Sequence, residues 1–271
     1  MIINHNLNAM YALHCMNRAY EAISKNMLRL SSGLRINSAA DDPAGLVISE
    51  KMRAQIRGLS QAGRNIQDGI SMINTADGAL NEVHSLLQRG RELSVQAANG
   101  TLSPQDKQNI QLEINEINKE LDSISGNTDF NTNKLLNAPA GGKKVILQAG
   151  ANEGQAISVD LCNVGSINLG VDSADVTVDA QGAITKYDKA IDTVSKYRSY
   201  FGAMQNRLGY ALDVVNNSEE NLTAAESRIR DLDIAKEMMD YAKNSIIFQA
   251  AQAMLAQANL QAKSVLKLLE F

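Results

Sequence analysis

The sequence predicts a mainly α fold: a long-helix bundle or coiled coil formed by both chain ends, with a small β-hairpin region in the middle. Three observations carry this. Apolar residues recur in alternating steps of four and three over several long stretches, the mark of a helical stripe facing a partner. Only three prolines, Pro43, Pro104 and Pro139, interrupt 271 residues, so long helices meet few breaks. From Thr128 to about Gly182 the rhythm changes to short apolar or alternating runs separated by glycines, which reads as strands and turns.

The first stripe is Met16, Tyr20, Ile23, Met27, Leu30 and Leu34, a heptad rhythm that stops near Ser31-Ser32-Gly33, where glycine favours a left-handed end. After a polar stretch, Asp42-Pro43 restarts a helix: Asp caps orphan N–H groups and Pro suits the first helical position. This second helix is expected from about Pro43 to about Ala98, with one stripe through Ile66, Ile70, Ile73, Leu80 and Leu87 and another through Ala79, Val83, Leu86 and Leu93. Two stripes imply burial on more than one side. Gly58, Gly63, Gly69, Gly78 and Gly90 argue either against one unbroken helix, at ~1 kcal/mol each relative to Ala, or for close approach of neighbours.

Asn99-Gly100 breaks the second helix, and Ser103-Pro104 caps and starts a third, with a stripe of Ile110, Ile114, Ile117, Leu121 and Ile124. In the middle region, Val145-Ile146-Leu147, Ile157 to Leu161 and Val176-Thr177-Val178 are the strand candidates; a disordered insertion is the competing reading. The fourth helix repeats its four–three steps from Ala190 to Leu232, roughly 60 Å at 1.5 Å per residue. The last segment, about Asp233 to Phe271, carries Met239, Ala242, Ile246, Ala250, Ala253, Leu260, Val265 and Leu268, with a phase slip near Ile246 that moves the seam around the helix.

Composition narrows the function. Hydrophobic residues are 44 % but aromatics only 4 %, with no Trp, which suits helices packing side by side. Net charge is −4 without a Lys/Arg block, so no nucleic-acid footprint is present. No apolar run reaches the ~20 residues of a spanning helix, so membrane insertion is not expected. The start, Met1-Ile2-Ile3-Asn4-His5-Asn6, lacks the features of a signal peptide; the expectation is retention in the cytoplasm or export without a cleaved leader. Cys15 and Cys162 are expected as free thiols, with a disulfide the lesser reading.

No catalytic or cofactor pattern emerges. His5, His14 and His84 are dispersed without metal-ligand spacing, and no zinc-protease His-Glu-x-x-His exists. Gly141-Gly142-Lys143 reads as a turn rather than a phosphate loop, and Asp41-Asp42 as a polar cap beside Pro43 rather than a cation site. Neither an enzyme, a cofactor nor a metal is expected.

The ends of the chain carry the functional argument. Each is an amphipathic helix with little else to pack on, and such helices are marginal alone. Pairing the first with the last buries both stripes, while the Ala-rich last helix still shows apolar surface elsewhere. That surface calls for further copies, and a contact between different faces of identical subunits repeats without closing. A monomeric antiparallel bundle remains equally open on periodicity alone.

Longer motifs decide between these. Leu30 to Leu46, reading Leu-Ser-Ser-Gly-Leu-Arg-Ile-Asn-Ser-Ala-Ala-Asp-Asp-Pro-Ala-Gly-Leu, resembles the N-terminal signature of the bacterial flagellins, as do Met1 to Ala9 and Ile66 to Ala79. Glu226 to Ala235 and Gln257-Ala258-Asn259-Leu260 resemble their C-terminal signature. The match spans about 1–137 and 186–271.

The resemblance implies a self-assembling subunit of the extracellular flagellar filament, a homopolymer exported by the flagellar type III apparatus. It implies an inner coiled-coil domain of residues 1–42 plus 233–271 and a rod domain of 43–232, with a β region at about 128–185. Outer variable domains should be missing, because the gap between Leu136 and Lys186 is short. Met16, Tyr20, Ile23 and Met27, with Leu255, Leu260, Val265 and Leu268, are the implied inner-tube packing residues. The last four are also the implied anchors for a flagellar export chaperone on the C-terminal helix. Flagellar cap and junction proteins are further implied partners.

Leu87 to Gln96 resembles the segment that an innate-immune Toll-like receptor reads in many flagellins, with Arg89, Leu93 and Glu113 as the matching residues; Gly90 stands where a larger residue is usual. Subunit contact is the alternative role for Arg89 and Glu113. Sugars on Ser and Thr of the β region stay open. A hook–filament junction protein and a cytoplasmic coiled-coil adaptor are the competing functions.

Overall fold

The computed structural model of the chain describes residues 5–138 and 143–269, apart from the side chains at 262 and 265–269. The first helix, α1, spans Leu7–Ser32. The Asn6 side chain accepts from the Ala9 amide at 3.1 Å to open it, and Gly33, at φ 70°, closes it with its N–H on the Arg29 carbonyl. Asp42 Oδ1 accepts from Gly45 N at 2.9 Å to start α2, which runs unbroken over Pro43–Ala97. The glycines expected to endanger that helix do not interrupt it, and Gly63, Gly69 and Gly90 lie on its buried side. α3, Pro104–Asn127, opens on a full capping box: Ser103 and Asp106 each bond the other's backbone N–H.

The middle of the chain holds two separate two-stranded antiparallel pairs. β1 (Asp129–Phe130) and β2 (Asn133–Lys134) are joined by Asn131-Thr132, both at positive φ. Two such residues make the hairpin turn whose twist matches its strands. β3 (Lys144–Gln148) pairs β4 (Ala156–Asp160), Ile146 opposite Ser158. The expected strand at Val176-Thr177-Val178 is not formed. Asp175 instead accepts from the Thr177 amide at 2.8 Å and bends the chain into a turn. Its alternation is real in burial, Val176 1 % and Val178 85 % exposed, but no second strand lies beside it among the described residues. A short helix, α4 (Ser166–Leu169), precedes it in a region where no helix was expected. α5 follows over Ala180–Arg230 and α6 over Ile234–Leu269.

Two compact units divide the chain inside α2 and α5: Met1–Ala54 with Asn221–Phe271, and Gln55–Glu220. In the second, one continuous core is built from three long helices. Ile66, Ile73, Leu80 and Leu87 of α2 meet Ile114 and Leu121 of α3 and Tyr187, Phe201 and Leu208 of α5, each under 2 % exposed. Leu135, Leu136, Val159 and Val171 from the middle region close over it, also fully buried. Burying a side chain of this size contributes about 1.5–3 kcal/mol.

In the first unit α1 and α6 run antiparallel. Asn6 Nδ2 donates to the Ala258 carbonyl at 3.0 Å, and the rings of Tyr20 and Phe248 stand 6.2 Å apart further along. The seam combines alanines with one polar pair. Ala12, Ala19 and Asn26 on α1, and Glu237, Ala251 and Ala258 on α6, are its buried positions, all at heptad spacing. The expectation that pairing buries both large apolar stripes is therefore corrected. Tyr20 and Met27 stay 64 % and 55 % exposed, and Met239, Ile246 and Leu260 are exposed as well. Alanine in the seam lets two backbones approach closely, which turns the bulkier side chains outward.

Candidate functional site

The paired chain ends also contain a polar lock. With its amide nitrogen turned toward Glu237, an orientation set by the surrounding donors and acceptors, Asn26 donates to Glu237 Oε1 at 3.2 Å and accepts from the Tyr241 amide at 3.1 Å. Arg29 reaches Glu237 at 3.8 Å and Asp41 at 3.7 Å, and Lys25 closes on Asp41 at 2.8 Å. Asp41 also accepts from the backbone amides of Asn37 and Ser38, both at 3.2 Å. Lys25, and then those two amides, hold its carboxyl far below the usual carboxylate range. Asp41 is thus a folded-in anchor of the α1–α2 connection, while its neighbour Asp42 is the helix cap.

The two interhelix connections are stitched together. Leu34 and Asp231 form an isolated antiparallel bridge, the Arg35 amide donates to Arg230 O at 2.7 Å, and the Leu232 amide donates to Gly33 O at 3.1 Å. The Arg35 guanidinium adds a bond to the Ile229 carbonyl. Arg230 then pairs Glu50 at 2.5 Å and pulls that carboxyl below its ordinary value. None of these backbone pairings has a sequence signal, because each joins residues almost two hundred positions apart.

Beside the seam lies an open groove of about 670 Å³ bordered by Tyr11, Cys15, Ile247, Ala250 and Met254. Of the expected packing residues, Met16 and Ile23 are half-buried, Leu255 likewise, and Tyr20, Met27 and Leu260 are exposed. The side chains of Val265 and Leu268 lie outside the described residues. Both cysteines are free: Cys15 is half-buried and Cys162 buried, its thiol pushed up to about 12 by burial.

In the second unit Arg89 of α2 and Glu113 of α3 come together across 24 residues of sequence, Nε and Nη2 donating to Oε1 at 3.0 and 2.8 Å. Both side chains are about half exposed, and Glu92 adds a longer contact to Arg89 at 3.5 Å. Arg91 pairs Asp188 of α5 at 2.6 Å. Leu93, grouped with Arg89 and Glu113 by the sequence, points the other way and is 2 % exposed in the core.

Gly90 between the two arginines is explained by Tyr187. A Cβ at Gly90 would meet the Tyr187 ring at 2.5 and 2.7 Å and its hydroxyl at 3.0 Å. The glycine is a seat for that ring. Tyr187 is fully buried, its hydroxyl pushed up to about 12 by burial, and Asn118 Oδ1 stands 3.4 Å away. The glycine that stands where a larger residue is usual is thus accounted for by packing.

Among the described residues no cluster of His, Cys, Asp and Glu is placed to hold a metal, and no helix is long and apolar enough to cross a membrane. Chain ends paired through a small-residue seam, apolar faces open on both helices, and a separate well-filled helical core define a structural subunit of an assembly. Comparison with known proteins gives the family. The model of the bacterial flagellin N-terminal helical region matches residues 3–140, and that of the C-terminal helical region matches 184–269.

A flagellin of Halalkalibacterium halodurans is 53 % identical over 99 % of this chain and all of its own length; a flagellin of Bacillus subtilis is 48 % identical over the same shares. The crystal structure of Bacillus cereus flagellin, 32 % identical, covers 60 % of this chain and 94 % of its own, with a TM-score of 0.50. The chain belongs to the bacterial flagellin family, the structural subunits of the flagellar filament. None of these similarities favours a junction protein.

Proposed function

We propose that the chain polymerises into the extracellular flagellar filament through the faces that its α1–α6 pair leaves open. The observation that carries this is the burial pattern of the first unit. Its buried apolar residues are Ala12, Ala19, Ile36, Ala251 and Ala258, while Leu7, Tyr11, Tyr20, Met239, Ile246, Met254 and Leu260 face outward. Exposed apolar surface on this scale marks an interaction site, and different faces of identical copies packing together extend without closing. In this reading residues 1–42 and 233–271 are the inner packing domain and 43–232 the rod.

The same exposed α6 face serves an export chaperone before assembly, with Leu255, Leu260, Val265 and Leu268 as anchors. Cap and junction proteins contact the chain at the filament's two ends. The Arg89–Glu113 pair is the charged feature that a Toll-like receptor reads on the free subunit. With Leu93 in the core, recognition of the folded chain rests on the two charged residues.

Filament growth on seed fragments, followed by electron microscopy, tests the assignment. Long extension supports it; a short cap of defined length overturns it in favour of a junction protein. Removing Asn259 to Phe271 should leave the second unit folded and stop growth. Filaments of normal length from that truncation contradict the role given to α6.

A further inference from the structure

We propose that Asn99 is a site of spontaneous deamidation, selected by the fold from several candidates in the chain. The sequence holds one Asn-Gly pair, Asn99-Gly100, two Asp-Gly pairs, Asp68-Gly69 and Asp77-Gly78, and three Asn-Ser pairs at Asn37, Asn217 and Asn244. All can in principle close a five-membered succinimide. The following backbone nitrogen attacks the side-chain carbonyl carbon, and a missing Cβ on the following residue removes the steric barrier.

The structure separates them. Asp68-Gly69 and Asp77-Gly78 lie deep inside α2, and Asn217 and Asn244 inside α5 and α6, where the attacking amide is tied into the helix ladder. Ring closure there requires leaving helical geometry and giving up that bond. At Asn37 the attacking Ser38 amide donates to Asp41 Oδ2 at 3.2 Å, and the Asn37 amide nitrogen donates to Ser32 Oγ at 2.7 Å.

Asn99 differs on every count. It follows the end of α2 at Ala97 and precedes α3, and both Asn99 and Gly100 are exposed. The Gly100 amide has no hydrogen-bond partner among the described residues. The Asn99 side chain is turned back over the following residues, its Oδ1 accepting from the Thr101 amide at 3.3 Å across the Gly100 peptide.

The chemistry balances without a cofactor. Gly100 N loses its proton to solvent base and bonds to Asn99 Cγ, the Cγ–Nδ2 bond breaks, and the nitrogen leaves as ammonia. Water then opens the ring at either carbonyl to give aspartate or isoaspartate. The formal net charge moves from −4 to −5. The new carboxylate faces the carbonyl end of α2, which has no basic residue in its last turn to offset it.

The test incubates the full chain under folded conditions at mildly alkaline pH and maps tryptic peptides by mass. Glu92 to Lys107 should gain about one mass unit, liberate ammonia and become a substrate for an isoaspartyl methyltransferase, ahead of every Asn-Ser peptide. Gly100→Ala should slow the change about tenfold. That variant should fold, since nothing lies within 4 Å of a Cβ there and φ is not positive. Three outcomes overturn the proposal: an unchanged Glu92 to Lys107 peptide, an equal rate in Gly100→Ala, or equal conversion at Asp68 and Asp77 in the folded chain.

Discussion

The two units of this chain use the same four–three helical rhythm to opposite ends. In the Gln55–Glu220 unit the large side chains point inward: Ile66, Leu87, Ile114, Leu121, Phe201 and Leu208 are all at most 1 % exposed. In the unit of the two chain ends four of the five buried apolar side chains among the described residues are alanines, and most of the large ones stay partly or fully exposed. Among the described residues sixteen large apolar side chains are exposed there against seven in the bigger unit. A core that consumes its hydrophobic residues is finished as a monomer; a seam of alanines leaves them over for other copies. The difference teaches that heptad spacing specifies a helix and its partner side but not which class of residue occupies the contact.

Substitutions sharpen this contrast. Leu121→Ala, at a fully buried position of α3, should lower stability by about 2–5 kcal/mol in denaturant unfolding of the second unit. A shift under about 1 kcal/mol would mean that the core is looser than its burial implies. Gly90→Ala forces a Cβ against the Tyr187 ring and should cost about 1–3 kcal/mol by overpacking. Gly90→Ala combined with Tyr187→Leu should recover most of that loss, and no recovery would show that the ring is not what Gly90 accommodates. Ser103→Ala removes one half of the α3 capping box and should cost about 1 kcal/mol, with the exchange of the Asp106 amide as the local reading.

Asp41 offers a test in the first unit. Because its folded carboxyl sits below the ordinary value, its contribution is fully present above the usual carboxylate range and is lost as pH falls through that range toward the folded value. The protection factors of the Asn37 and Ser38 amides should fall on acidification through that range, and Asp41→Asn should show low protection already at neutral pH. Equal protection in both proteins would detach Asp41 from the order of that connection. The smallest expected change in monomer stability is at Tyr20→Ala and Leu260→Ala, within about 0.5 kcal/mol because both side chains are exposed. Both should nonetheless slow seeded filament growth. Monomer destabilisation comparable to Leu121→Ala would erase the distinction between the units.

Much of the architecture was legible. The start of α2 at Asp42-Pro43, the capping box at Ser103 and the break at Asn99-Gly100 were read from residues that act on their own immediate backbone. The stripe of α3 is buried from Ile110 to Leu121 as its spacing predicts, with Ile124 half-buried. The candidate site was less legible. Arg89 and Glu113 do pair, but Leu93, four residues from Arg89, is turned into the core. The turn at Val176 to Val178 imitated a strand because alternating burial needs only a chain lying along a core, whereas a strand needs a neighbour to bond.

By itself the sequence determined the helices, their caps and the apolar character of both chain ends, since these depend on residues within one or two turns of each other. Only the tertiary structure decided which side of α6 meets α1. That helix spreads its apolar residues around its axis, so hydrophobicity could not choose a face; close backbone approach through Ala251 and Ala258 did. The same holds for Gly90 beneath Tyr187 and for the Leu34–Asp231 bridge. Each is a fit between surfaces far apart in the chain, and steric complementarity of that kind has no local signature.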